Sequence, residues 1–301
     1  MTATPRPMGR DDVRDALTDL GVHRGDALLV HADADELSPV IGGLRAVIEG
    51  LIDAVGPRGT VAMAAFSSDA LLPAVGRGVT PEDVAKAESQ VLGFNPLVST
   101  ADIAGPLAET FRCWPGVERS SHPIYSLAAF GPAAHPVCAH HPRDLALGLD
   151  GPVGRLMETG AAKLLHLGTG WSRSPAMVTA ETVALRRRMG VVRLKENDRR
   201  TGRWAGRWVH ARDIAEDRDG FYALIGRTFE QTAMFTRGTV AGAASGLARL
   251  DDVVAYAAPR LALAVSRLER TRPPHLPDTA QELAEATAAA SEEQGASSTA
   301  T

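Results

Sequence analysis

The 301-residue chain is predicted to be an α/β protein with a mixed, largely parallel sheet flanked by helices. Three observations predict this. A strand, an amphipathic helix and a second strand follow one another near the N-terminus, the order of a right-handed crossover unit. Short apolar runs bounded by Gly or Asp recur further along, as buried strands do. Between them stand segments whose apolar residues repeat at three and four, the period of a helix with one buried face. A hydrophobic fraction of 45% with 23% charged residues supplies an ordinary soluble core.

The elements are justified in order. Residues 11–20 place Val13, Ala16, Leu17 and Leu20 on one helical face. GVHRGD turns the chain into ALLVHADA, a buried strand. In residues 41–60, Leu44, Val47, Ile48, Leu51, Ile52 and Val55 again repeat at three and four, and GPRG stops that helix. VAMAAF at 61–66 is the second strand, and residues 69–100, broken by Pro73, Pro81 and Pro96, read as a long functional loop. A helix near 106–111, a loop-to-strand passage ERSSHPIYSLAAFG and a strand KLLHLGTG follow. The segment WSRSPAMVTAE reads as a loop entering a helix, with Ser174 able to cap it and Pro175 at its first position. Residues 191–221 suggest an antiparallel excursion; a helix at 221–234 and a strand leading into a long helix complete the fold. Residues 1–270 are expected to form one domain, and the Pro-, Ala-, Ser- and Glu-rich residues 271–301 a mobile tail.

Composition excludes several classes. A net charge of −4 offers no footprint for nucleic acid. No apolar run reaches the length of a membrane span, and the N-terminus carries no apolar signal core. Two cysteines, Cys113 and Cys138, without CxxC spacing point to a reduced, cytoplasmic setting. No metal is expected, because none of the nine histidines stands in a ligand motif, and the pair His140 and His141 reads as a surface loop. GTGWS does not complete a dinucleotide turn, and neither a phosphate loop nor a GxSxG elbow is present. The segment RSSHPIYS, with His122 between Arg119, Ser120 and Ser126, concentrates hydrogen-bonding side chains in one loop. Taken alone, His122 there reads as a structural loop histidine, and Glu181 and the acidic run at 213–219 as solvated faces.

The ordered set LGVHRGDALLVH, FNP, GPLAETFR, PGVERSSHP, SLAAFGPAA, LLHLGTG, the Ala180–Glu181 pair, DIAEDRDGF and GTVAGAASGLARLDDVVAYA spans residues 11–265. It resembles the aminoglycoside 3-N-acetyltransferase, or antibiotic N-acetyltransferase, family. The resemblance implies that family's fold and transfer of an acyl group, usually acetyl, from acyl-CoA to an amine of an aminoglycoside or related natural product. The amine would attack the thioester directly, with no metal and no covalent acyl-enzyme. By position it implies Glu181 and His122 as catalytic residues. His31, Ala32, Asp33, Arg119, Ser120 and Ser126 would lie along the CoA arm, and Asp69, Asp213 and Asp217 would attract ammonium groups. A homodimer is compatible with it.

One departure stands out. The family pattern Asn-Thr-x-x-His-x-x-Glu is here Ser174, Pro175, Val178 and Glu181, so valine occupies the position of the favoured base. His-Ser-Ser after the first strand is His31, Ala32 and Asp33, and FDP is Phe94, Asn95 and Pro96. Three outcomes are open. The base has moved, to His122 or else His166; Glu181 acts directly, or on an amine already neutral; or the scaffold performs other acyl or condensation chemistry, or binds an aminoglycoside without turnover.

Overall fold

A computed structural model of the chain describes residues 8–71, 80–184, 189–196, 207–214 and 220–271. Helix α1 (Arg10–Leu20) begins with Asp12 reaching back to the Gly9 amide and ends on a left-handed Gly21. Strand β1 (Ala27–Ala32) leads through a short 3-10 turn into α2 (Gly43–Val55) and then β2 (Thr60–Ala64). Helices α3 (Pro81–Gln90) and α4 (Pro106–Arg112) precede β3 (Glu118–Arg119) and β4 (Leu127–Phe130). Two short helices, α5 (Ala134–Ala139) and α6 (Pro152–Met157), lead to β5 (Ala162–Leu167) and α7 (Pro175–Ala184). The antiparallel pair β6 (Met189–Glu196) and β7 (Arg207–Ile214) comes next. Helix α8 (Phe221–Phe229), the hairpin β8 (Thr236–Val240) and β9 (Ala243–Arg249), and α9 (Leu250–Thr271) complete the order.

Seven strands form one sheet in the order β3-β4-β2-β1-β5-β9-β8. The mixed α/β sheet expected from the sequence is present, but it is not largely parallel: parallel pairing is confined to the centre. Strand β1 runs parallel to β2 and β5, and the outer pairings are antiparallel. The stretch 69–100 is not all loop, since Thr80 and Asp83 form a capping box that starts α3. The single strand expected near residue 240 is a hairpin.

Strand alternation builds two apolar layers. Ala27 and Leu29 of β1 and Ala162 and Leu164 of β5 face α7, α8 and α9 in one. Leu28, Val30, Leu165 and Leu167 face α1, α2 and α4 in the other. Helix α8 approaches the first layer closely at Gly226, where an added Cβ would lie 2.0 Å from Cγ of the Trp171 indole. A Gly226→Ala variant is therefore expected to lose about 1–3 kcal/mol by overpacking. It should also shift the tryptophan emission, both read in one urea titration.

No helix among the described residues is long and apolar enough to cross a membrane. Residues 272–301, for which a tail was expected, lie outside the described residues.

Candidate active site

The parallel strands β1 and β5 are neighbours from which the chain departs in different directions, the place in an open α/β sheet where ligands characteristically bind. Their sequences, ALLVHA and AKLLHL, pair residue for residue, so His31 lies beside His166. Both follow the parity of Leu29 and Leu164 and therefore face α7. Their rings meet edge to face at 5.5 Å, and His166 meets Trp171 in the same way at 4.5 Å. His166 Nε2 lies 3.3 Å from the Ser174 hydroxyl at the start of α7. His31 Nδ1 is buried and has no hydrogen-bond partner among the described residues.

Charge is disfavoured on both rings. Burial, then the nearby Arg173 cation, pushes His31 down to about 4 against a smaller opposing pull from Asp33. Burial, with His31 alongside, holds His166 well below the ordinary imidazole range. Both are neutral acceptors at physiological pH.

Helix α7 carries the departure noted in the sequence. Residues 174–177 and 179–182 are buried, and Val178 alone in that span is partly exposed. The position at which the resemblance implies a histidine is therefore partly exposed. Glu181 lies one turn on, on the same face, and is buried. Its Oε2 accepts a hydrogen bond from the Tyr222 hydroxyl of α8, which fixes the carboxylate across the two helices. Trp171, stacked over Gly226, donates from Nε1 to Glu230 at 2.7 Å and closes the far wall.

Other residues named from the sequence have internal tasks. Nδ1 of His122 accepts from the amides of Ile124 and Tyr125 at 3.2 and 3.0 Å, so its proton sits on Nε2 and goes to the Arg143 carbonyl at 3.0 Å. Both ring nitrogens thereby hold the loop together. Ser120 is fully buried, donating to His141 Nδ1 and accepting from the Leu127 amide, each at 2.8 Å. Ser126 is also fully buried and donates to the Ala65 carbonyl at 2.7 Å. Arg119 binds Ser126 Oγ at 3.0 Å, the Ala65 carbonyl at 2.5 Å and the Ser99 carbonyl, and its cation sits 4.7 Å over Phe94. The hydrogen bonds of these three fasten neighbouring loops to the sheet. An Arg119→Met variant is expected to lose about 2–3 kcal/mol, since it leaves two carbonyls without their charged donor. Its urea midpoint checks this.

Ala32 is half-buried and Asp33 exposed, its carboxylate capping the 3-10 turn through the Asp35 amide at 3.1 Å. Both follow His31 at the end of β1. Asp69 lies beyond β2, half-buried, its amide on Ser67 Oγ at 3.3 Å. Asp213 is placed only through its backbone pairing with Gly190; its side chain and Asp217 lie outside the described residues.

The sequence reading missed Tyr222, Trp171 and a row of rings on the same edge. The register of β2 and β4 continues past Ala64 and Leu127, with the Ala65 and Ser67 amides bonded to the Ser126 and Ile124 carbonyls. Phe66 and Tyr125 are thereby opposed, edge to face at 5.3 Å, against the same layer as Val178.

Residues 29–262 match the family model described as aminoglycoside 3-N-acetyltransferase. The chain belongs to this family. Aminoglycoside N(3)-acetyltransferase IX of Micromonospora chalcea is 30% identical over 236 residues, covering 74% of this chain and 79% of that protein. A structure of AAC-IIIb in a binary complex with CoASH superposes with a TM-score of 0.73 at 26% identity, covering 89% of this chain and 99% of that one. One of AAC-VIa bound to sisomicin gives 0.72 at 27% identity, covering 86% and 98%. The family expected from the sequence is the family found, and the matched residues include most of β1, with β5, α7 and Glu181.

Proposed function

We propose that this chain transfers an acyl group, acetyl in the first instance, from acyl-CoA to an amine of an aminoglycoside or related natural product. The carrying observation is the pairing of His31 with His166 at the ends of β1 and β5, with Glu181 fixed by Tyr222 and Val178 partly exposed one turn away. Relatives that bind CoASH and sisomicin on the same fold support both substrate classes.

The thioester arm runs past His31 to Asp33, where the buried Nδ1 of His31 is an acceptor for a ligand N–H. The amine lone pair attacks the thioester carbonyl carbon, forming the C–N bond. Glu181, held by Tyr222, takes the proton that the nitrogen sheds, and the C–S bond breaks to release the thiolate. That thiolate recovers one proton, so amine and thioester become amide and thiol. An acyl-CoA co-substrate supports a cytoplasmic activity.

Calorimetric titration with acetyl-CoA, followed by thiol release with a panel of aminoglycosides, tests this. Saturable binding and a product heavier by one acetyl group are expected; no binding at millimolar concentrations overturns it. Val178→His supplies a proton acceptor at an open position and is expected to raise the rate on alkyl amines about tenfold or more. Initial rates of thiol release check this.

A further inference from the structure

We propose that the acceptor this site favours is an aryl amine or aryl hydrazine, whose attacking nitrogen arrives uncharged and whose ring lies along the edge formed by Tyr125, Phe66 and His31. The inference deepens the acyl-transfer reading and rests on it.

Strands β4, β2, β1 and β5 are consecutive in the sheet. At the ends of these strands Tyr125 meets Phe66 and His31 meets His166, and by strand parity all four lie on the sheet face that carries the layer of Val178. Trp171 continues the row beyond His166. Phe66, Tyr125, His31 and Val178 are each partly exposed, so this face offers π surface and an aliphatic side chain to a bound molecule. Flat aromatic ligands gain from offset or edge contacts with such rings. Among the described residues, the charged and titratable groups around it include Glu181, Tyr222, Arg173 and Asp33, with His31, His166 and His122, whose ring lies 5.5 Å from that of Tyr125.

The proton acceptors match that acceptor. An alkyl amine is an ammonium ion at neutral pH and needs a strong base to expose its lone pair, and valine supplies none. An aryl amine is already free. When its nitrogen attacks the thioester carbonyl, the N–H of the adduct is acidic enough to pass to a carboxylate. Glu181 then receives that proton, the C–S bond breaks, and the thiolate leaves to be protonated as the thiol.

Aniline and cyclohexylamine, nearly equal in size, separate the ideas. With saturating acetyl-CoA near pH 7, kcat/KM for aniline should exceed that for cyclohexylamine by about 100-fold or more. Phe66→Leu, which keeps the site apolar, should cut that ratio by about tenfold. A cyclohexylamine or aminoglycoside rate equal to that of aniline overturns the inference, as does a ratio unmoved by Phe66→Leu. Acetylation of an aminoglycoside but of neither small amine overturns this inference alone; failure of every amine, with no acetyl-CoA binding, overturns the acyl-transfer reading too.

Discussion

Replacing Glu181 by glutamine is expected to lower kcat by about 10²–10⁴-fold, the usual contribution of a positioned proton acceptor. The substitution isolates chemistry from folding. Glutamine keeps the shape, and its amide oxygen still accepts from Tyr222, so the link between α7 and α8 survives. The negative charge and the capacity to take a proton do not. A carboxylate with only a structural task would instead give unchanged turnover and a lowered melting temperature. Steady-state kinetics and thermal unfolding of the same preparation tell the two apart.

Stability is expected to fall steeply as pH drops from about 7 to 5, by about 2 kcal/mol for each buried imidazole. His31 and His141 are depressed from 6.5 to about 4 and about 3, and His166 is held well below 6.5, in every case chiefly by burial. The sign follows from proton binding. Below 6.5 the unfolded chain takes protons on these rings while the native state refuses them, so acid favours unfolding. The loss begins near 6.5 and continues toward the native values. Glu109, pushed down to about 2 first by its hydrogen bonds with Arg112, acts in the same direction but only below the ordinary carboxylate range. Three such imidazoles amount to a large share of a stability of about 5–15 kcal/mol. Urea unfolding at several pH values measures it; a flat profile between pH 7 and 5 would mean that these rings are solvated.

How much of this was legible depends on sequence separation. ALLVHA and AKLLHL carry histidine at the same position, and aligning them as parallel neighbours would have paired His31 with His166 before any coordinates. Val178 and Glu181 were legible because three residues along a helix share a face. Tyr222 was not, since its partner lies 41 residues away. Helices α5 and α6, six residues each, are too short to display a period. Strand β8 was missed because TRGTV, exposed until Val240, shows no apolar alternation. His122, taken alone, reads as a structural loop histidine, and only the resemblance makes it a candidate base. Only its backbone partners, Ile124, Tyr125 and Arg143, reveal its task.

The most direct test is a crystal structure of this chain with CoA bound. The thiol sulfur is expected at the ends of β1 and β5, against His31 and on the side of Val178 and Glu181. Density for CoA elsewhere, for instance in the groove of Arg10, Arg14 and Arg24 beside Gly59 and Gly131, would contradict the account.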